Sequence, residues 1–178
     1  NRFERQKNLK RNAVPGQSVA TPWYTIGPNN EAGRARAALF DLADGPDYDR
    51  VIAGGVSGGL WENTKISTEN QQWSRIIGVP GNLAVSIIVQ DEDSPAIMYA
   101  GTGESYTSGD ASGNGIYKSM NGGTNWTLVF GNNTETATQT GSDVDGYFYI
   151  NDMVLSDHDD NSATPSHIFA ALGSSGHK

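Results

Sequence analysis

An all-β fold of recurring four-stranded antiparallel sheets is what this sequence predicts, and three observations predict it. Short apolar runs ending in small residues recur along the chain. Each is preceded by another apolar run and by an acidic turn that contains proline. The runs are brief, aromatic and β-branched, and no 3.6-residue apolar period shows outside the N-terminal arm.

The elements follow in order. Residues 1–21 form a basic arm. The first repeat opens with Ala38-Leu-Phe-Asp41, turns through Asp44 and Pro46, and returns as Val51-Ile-Ala-Gly-Gly55. Gly59-Leu-Trp-Glu-Asn63 and Trp73-Ser-Arg-Ile76 supply its third and fourth strands. The second repeat runs Ser86-Ile-Ile-Val-Gln-Asp91, a turn with Glu92, Asp93 and Pro95, then Met98-Tyr-Ala-Gly-Thr102, Gly115-Ile-Tyr-Lys-Ser119 and Trp126-Thr-Leu-Val129. The third has Met153-Val-Leu-Ser-Asp157, a turn with Asp159, Asp160 and Pro165, and Ile168-Phe-Ala-Ala-Leu172. An apolar run, an acidic proline turn and a second run read as an antiparallel hairpin.

Ala53, Ala100 and Ala170 are equivalent in this alignment, with offsets of 47 and 70 residues. Four short strands recurring every 40–50 residues or so is the spacing of β-propeller blades. The longer offset is filled by polar loops over 103–114 and 131–146. The expected architecture is a partial β-propeller over 22–178, with blades at about 35–77, 83–130 and an incomplete 147–178, or about two and a half blades. Such units cannot bury their faces alone, so the remaining blades of the same chain are the first expected partner.

Charge narrows the function. The first twelve residues carry Arg2, Arg5, Lys7, Lys10 and Arg11 against Glu4, a net of +4, while the whole chain is −8 and the remainder therefore −12. A body that acidic repels phosphate backbones and argues against nucleic acid. The arm reads as a solvated leader or short helix. With no cysteine, disulfide scaffolds, thiol catalysis and Cys-based zinc sites are excluded. No apolar stretch is long enough to span a bilayer. The charged start lacks the apolar run of a signal peptide, as in a trimmed secreted chain.

Ser119-Met-Asn121-Gly-Gly123-Thr-Asn-Trp126 fits Ser/Thr-x-Asp/Asn-x-Gly-x-x-Trp, the Asp-box. Asn121 can bond nearby backbone amides. Gly123 tolerates positive φ, and Trp126 covers the turn. A degraded first copy has Asn63-Thr-Lys65 at its start and insertions after it, and only Trp73 is clear. Trp23-Tyr-Thr-Ile-Gly-Pro28, Gly33-Arg-Ala-Arg36, the run Ala53 to Trp61 and Tyr99-Ala-Gly-Thr-Gly-Glu104 occur in order with it. Together they resemble BNR/Asp-box propellers of the sortilin-like and xyloglucanase-like group, over Trp23 to Lys178. The resemblance implies the N-terminal fragment of a large exported bacterial protein, extracellular or at the cell surface, of a kind that includes type IX secretion cargo. It implies a turn-stabilising role for the Asp-box at a blade's outer edge, and a strand of another blade at Trp23 to Ile26.

Enzyme readings fare less well. Xyloglucanases carry a catalytic aspartate two residues before a Gly-Gly pair; here the pair is Gly58-Gly59 and that position is Val56. A second carboxylate would also be needed. Arg34 and Arg36 match a sialidase arginine cluster by residue type alone, and pairing with acidic turns is the plainer role for Arg34. The glycine runs lack a Gly-Lys-Ser/Thr ending, no nucleophile elbow is present, and His158, His167 and His177 lack zinc-protease spacing. Asp143-Val-Asp145-Gly146 starts like a cation loop, making calcium the one cofactor to test, although neither it nor Asp157 to Asn161 completes an EF-hand. Loops on a rigid scaffold are where function sits; the loop bearing Glu104, Tyr106 and Asp110 is the expected ligand surface, with carboxylate and aromatic groups suited to sugar. The expectation is a non-catalytic binding or structural module, its partners a polysaccharide or secretion and outer-membrane components. The alternative is a glycoside hydrolase, xyloglucanase- or sialidase-like, whose catalytic residues lie mostly in missing blades.

Overall fold

A computed structural model describes residues 33–68, 72–105, 111, 113–131, 148–156 and 167–174. Trp23 to Ile26, the basic arm and the third acidic turn lie outside the described residues. The fold is all-β. Sheet 1 pairs β1 (Ala35–Phe40), β2 (Val51–Gly55), β3 (Leu60–Asn63) and β4 (Ser74–Arg75) in sequence order, all antiparallel. Sheet 2 repeats the order with β5 (Val85–Gln90), β6 (Met98–Thr102), β7 (Gly115–Ser119) and β8 (Thr127–Gly131). A hairpin of β9 (Phe148–Ser156) and β10 (His167–Ser174) completes the described chain. The only helical element among the described residues is a 3-10 turn, Leu42–Asp44, and none of their helices is long and apolar enough to cross a membrane.

The register makes the three units geometrically equivalent. Ala38 pairs with Ala53, Ile88 with Ala100 and Met153 with Ala170. Two residues before each of these first partners the ladder bulges, at Arg36, Ser86 and Asn151. A bulge adds an unpaired residue and re-aims the side chains around it, so its recurrence at one position marks a shared device.

The first three strands of sheet 2, β5 to β7, are buried on both faces, which is why they read as nearly continuous apolar runs. One face (Val85, Ile88, Met98, Ala100, Tyr117) packs with Ala37, Ile52 and Leu60 of sheet 1 and with Trp126. The other (Ile87, Val89, Tyr99, Ile116) packs on Ile150, Met153, Leu155 and Ile168 of the hairpin. Residues alternate between the two clusters because successive side chains of a strand point to opposite faces. Each fully buried Ile, Leu or Met here contributes about 1.5–3 kcal/mol relative to exposure. Packing between units is densest along the first strands, β1 on β5 and β5 on β9.

Two glycines set the closest approach. A Cβ on Gly54 would stand 2.7 Å from Val85 Cγ1 and 2.9 Å from the Val85 carbonyl oxygen; one on Gly101 would stand 2.6 Å from Ile150 Cγ2 and 2.8 Å from Ile87 Cγ2. They occupy the same register position, beside Ala53 and Ala100. Gly54 and Gly101 are thus small because the next unit's first strand lies against them.

Candidate functional site

The hairpin units have two ends with different chemistry. At the turn end the polar groups serve the backbone. Asp41 and Asp91 close β1 and β5 and are both buried. Asp41 Oδ1 accepts from the Ala43 amide (2.9 Å), and Asp91 Oδ1 accepts from the amides of Asp93 (3.1 Å) and Ser94 (2.8 Å). The two described acidic turns therefore combine a buried capping aspartate with exposed neighbours.

Arg50 fastens this end. Its Nη1 donates to Asp41 Oδ2 (2.7 Å) and to the Gly122 carbonyl (2.6 Å), while Nη2 and Nε donate to Glu62 Oε2 (2.8 and 3.1 Å). Gln90 Nε2 bridges to Asp41 Oδ1 and to the Pro95 carbonyl, each at 2.7 Å, and Gln90 Oε1 accepts from the Leu42 amide. One guanidinium and one amide thus join sheets 1 and 2. Burial by itself pushes the Asp41 carboxyl up, but donors from Gln90, the Ala43 amide and Arg50 outweigh it and hold Asp41 below its ordinary 3.8. Burial likewise works to lower Arg50, and Glu62 and Asp41 reverse it, holding the guanidinium's pKa above its ordinary value. Sequence reasoning missed this network. The recurrence of aspartate at the end of the three first runs (Asp41, Asp91 and Asp157) was its only signal.

The turn of the Ser119–Trp126 motif, between β7 and β8, sits at the same end. Ser119 Oγ accepts from the amides of Gly123 (2.9 Å) and Asn121 (3.3 Å) and donates to Asn121 Oδ1 (3.0 Å). Asn121 Oδ1 also accepts from the Asn125 amide (2.9 Å). Gly123 adopts φ 81°, and its carbonyl accepts from the indole of buried Trp126 (2.8 Å). The Ser119 hydroxyl, the Asn121 side-chain carbonyl oxygen and the Trp126 indole are all engaged within the turn, and Gly122 ties it outward, its carbonyl to Arg50 and its amide to the Ala96 carbonyl. In sheet 1 Asn63 takes the place of Ser119 in the register and caps the Lys65 amide at 2.8 Å.

The opposite end differs. Glu104, just past β6, is fully buried, and its backbone bridges to Ala111. Its Oε1 accepts from Arg34 Nη2 at 2.8 Å, and Arg36 Nε lies 3.9 Å from Oε2. Arg34 therefore pairs with this carboxylate rather than with an acidic turn. Both arginines come from the start of β1 and reach across to sheet 2. Their side chains remain 52% and 30% exposed, so the cluster faces solvent through its guanidinium groups. Next to it Ser105 Oγ donates to Asn151 Oδ1 (3.3 Å), and Ser86 Oγ donates to the carbonyls of Gly101 (3.1 Å) and Ile150. Of the three bulge residues, Arg36 lies against Glu104 itself and Asn151 bonds the adjacent Ser105. Val56, in the turn after β2, donates its amide to the Arg34 carbonyl at 2.9 Å.

Comparison with protein-family models, with curated proteins and with solved structures gave no match. Of the sequence-predicted ligand residues, Glu104 lies in this cluster, and Tyr106 and Asp110 lie outside the described residues. So do Asp143 and Asp145; among the described residues no group of three metal-ligating side chains occurs. Chemically the cluster offers positively charged, directional donors held in place by a buried carboxylate, suited to an anionic or hydroxyl-rich ligand.

Proposed function

We propose that this chain forms consecutive blades of a BNR/Asp-box β-propeller and acts as a non-catalytic binding module of an exported or cell-surface protein. The ligand meets the strand-end surface of Arg34, Arg36 and Glu104. The observation that carries the reading is the order of packing: three units with the same bulge stack through their first strands, β1 on β5 and β5 on β9. Blades around an axis meet in this way, innermost strand to innermost strand. The inner Asp-box bonding supports the same family reading, as do the resemblances to sortilin-like and xyloglucanase-like propellers.

Binding is favoured over hydrolysis by two residues. Val56 stands where xyloglucanases carry their catalytic aspartate. Glu104, the buried carboxylate of the cluster, is engaged by Arg34 in an ion pair, a positioning arrangement rather than that of a poised acid.

The test is a polysaccharide and oligosaccharide panel with the full natural protein, scored for both binding and turnover. Saturable binding that weakens in Arg34→Ala without bond cleavage is the expected result. Robust hydrolysis abolished by Glu104→Gln would overturn the non-catalytic reading. Export, including through a type IX route, is tested by cell fractionation; the protein is expected at the outer membrane or in the medium, and a purely cytosolic pool refutes it.

A further inference from the structure

An asparagine followed by glycine readily loses its side-chain amide, because no Cβ hinders the glycine nitrogen from reaching the neighbouring carboxamide carbon. Two such pairs occur in the sequence, Asn114-Gly115 and Asn121-Gly122, and the fold treats them differently. At the first, Gly115 is buried at the start of β7. Its amide and the Asn114 amide both donate to Thr102 Oγ1 (3.0 and 2.8 Å), and Asn114 Nδ2 donates to Tyr117 Oη (3.1 Å). Thr102 is fully buried, so freeing the Gly115 nitrogen means breaking into the sheet. The second pair lies in the turn between β7 and β8. Asn121 is exposed there, and Met120 before it is 70% exposed. The Gly122 amide is held by one bond, to the Ala96 carbonyl at 2.9 Å. Asn121 Oδ1 accepts from Ser119 Oγ (3.0 Å) and from the Asn125 amide (2.9 Å). Those two donors stand where negative charge develops when Asn121 Cγ is attacked.

We infer that Asn121 is a modification site, at which the folded protein slowly converts asparagine to aspartate. When the turn opens locally, the Gly122 nitrogen gives up its proton to solvent base and bonds to Asn121 Cγ. The Cγ–Nδ2 bond breaks, ammonia leaves to solvent, and a cyclic imide remains. Water then adds to the same Cγ, whose oxygen faces the two donors. The bond from Cγ to the Gly122 nitrogen breaks, which restores the Gly122 amide and leaves a side-chain carboxylate. Attack at the other imide carbonyl would yield isoaspartate and insert a methylene into the main chain, displacing Gly122 from Ala96 and Arg50. The turn therefore directs the product to aspartate. Its carboxylate keeps the acceptor that Ser119 and Asn125 use, and it brings a negative charge to the turn that Arg50 ties to sheet 1. The inference does not depend on the propeller reading.

Peptide mapping by mass spectrometry tests it, on the full natural protein held for weeks at neutral and mildly alkaline pH, with a parallel sample in urea. In the folded chain Asn121 is expected to convert at least about tenfold faster than Asn114, since each buried hydrogen bond left unmade lowers the open population by roughly that factor. In urea the two sites should react at similar rates, and isoaspartate should predominate there, whereas aspartate predominates at Asn121 in the folded chain. A folded-state rate at Asn121 no higher than at Asn114, including no conversion at either, would overturn the site. The same preference for Asn121 in urea would show that local sequence sets it and sink the structural argument. Isoaspartate as the main folded product would refute the turn's control of hydrolysis.

Discussion

Replacing Arg50 with alanine is the sharpest test of how sheets 1 and 2 are held together. The substitution removes four donor contacts at once, to Asp41, Gly122 and twice to Glu62. Their values differ. Glu62 is 29% exposed and can recover water, so that pair is worth about 1 kcal/mol or less. The Gly122 carbonyl loses one donor, again about 1 kcal/mol. Asp41 is the costly loss. Its carboxylate is buried, and although Oδ1 keeps Gln90 and the Ala43 amide, Oδ2 loses Arg50. Stranding one partner of a buried pair costs about 3–5 kcal/mol when nothing else compensates; with half the carboxylate still bonded, about 2 kcal/mol is reasonable. The total is about 3 kcal/mol, allowing for incomplete loss of the weaker contacts.

At a urea slope of about 2 kcal/mol per molar, that lowers the unfolding midpoint by about 1.5 M. Asp41→Asn in the same background should restore part of the loss, because the charge that needed Arg50 is gone, giving a non-additive double-mutant cycle. A midpoint shift under about 0.5 M for Arg50→Ala, or strict additivity with Asp41→Asn, would refute the claim that a buried ion pair fastens the sheets.

Alanine at Gly54 or Gly101 should destabilise by about 1–3 kcal/mol through overpacking; Gly54→Ala is expected to be the worse, since it meets the fixed Val85 carbonyl as well as a side chain, and thermal unfolding reads both. Ser119→Ala leaves the amides of Asn121 and Gly123 without their acceptor and should cost about 1–2 kcal/mol, whereas Asn121→Asp, which strengthens the acceptor facing the Asn125 amide, should be neutral to stabilising at neutral pH in the same assay. Asp41 titrates below 3.8 in the fold, so its contribution is fully present above its unfolded value and is lost as pH falls through its folded value; urea midpoints taken from about pH 7 to pH 2 should decline in that acid range, and less so in Asp41→Asn.

Much of the fold is legible in the sequence because turn chemistry and apolar runs agree. Each of the ten runs read as a strand overlaps a strand. The largest boundary error has a physical cause: β9 begins at Phe148 rather than Met153 because the bulge at Asn151 breaks the alternation that would have signalled Tyr149 and Ile150. The small residues at Gly54 and Gly101 are visible as a pattern, but what makes them necessary is a neighbouring unit's strand, which no local window contains. The site was half legible. Glu104 follows a strand in a glycine-bearing loop, and the loop suggested function. Its partners Arg34 and Arg36 lie about 70 residues earlier in the chain, joined to it only when β1 packs on β5. Arg50 had no signal of its own, since nothing before β2 distinguishes a bridging arginine from a solvated one.

The location of any ligand surface follows from what the fold has already consumed. Both faces of β5 to β7 are buried, so a ligand can reach the side chains of sheet 2 only on the outer strand β8 or at the strand ends. At the turn end, Asp41, Asp91, Gln90, Arg50, Ser119 and Asn121 are committed to backbone groups or to one another. Drawing any of them towards a ligand would strand a buried partner and undo the joint between sheets. At the other end the buried Glu104 must likewise keep Arg34, but the two guanidinium groups also face solvent. Glu104 holds the half-exposed Arg34 at 2.8 Å with the partly exposed Arg36 at 3.9 Å, and the neighbouring Ser105 and Asn151 hold each other through one 3.3 Å bond. Such a surface can exchange water for a ligand without dismantling the core, which is the property a binding site on a rigid repeat must have.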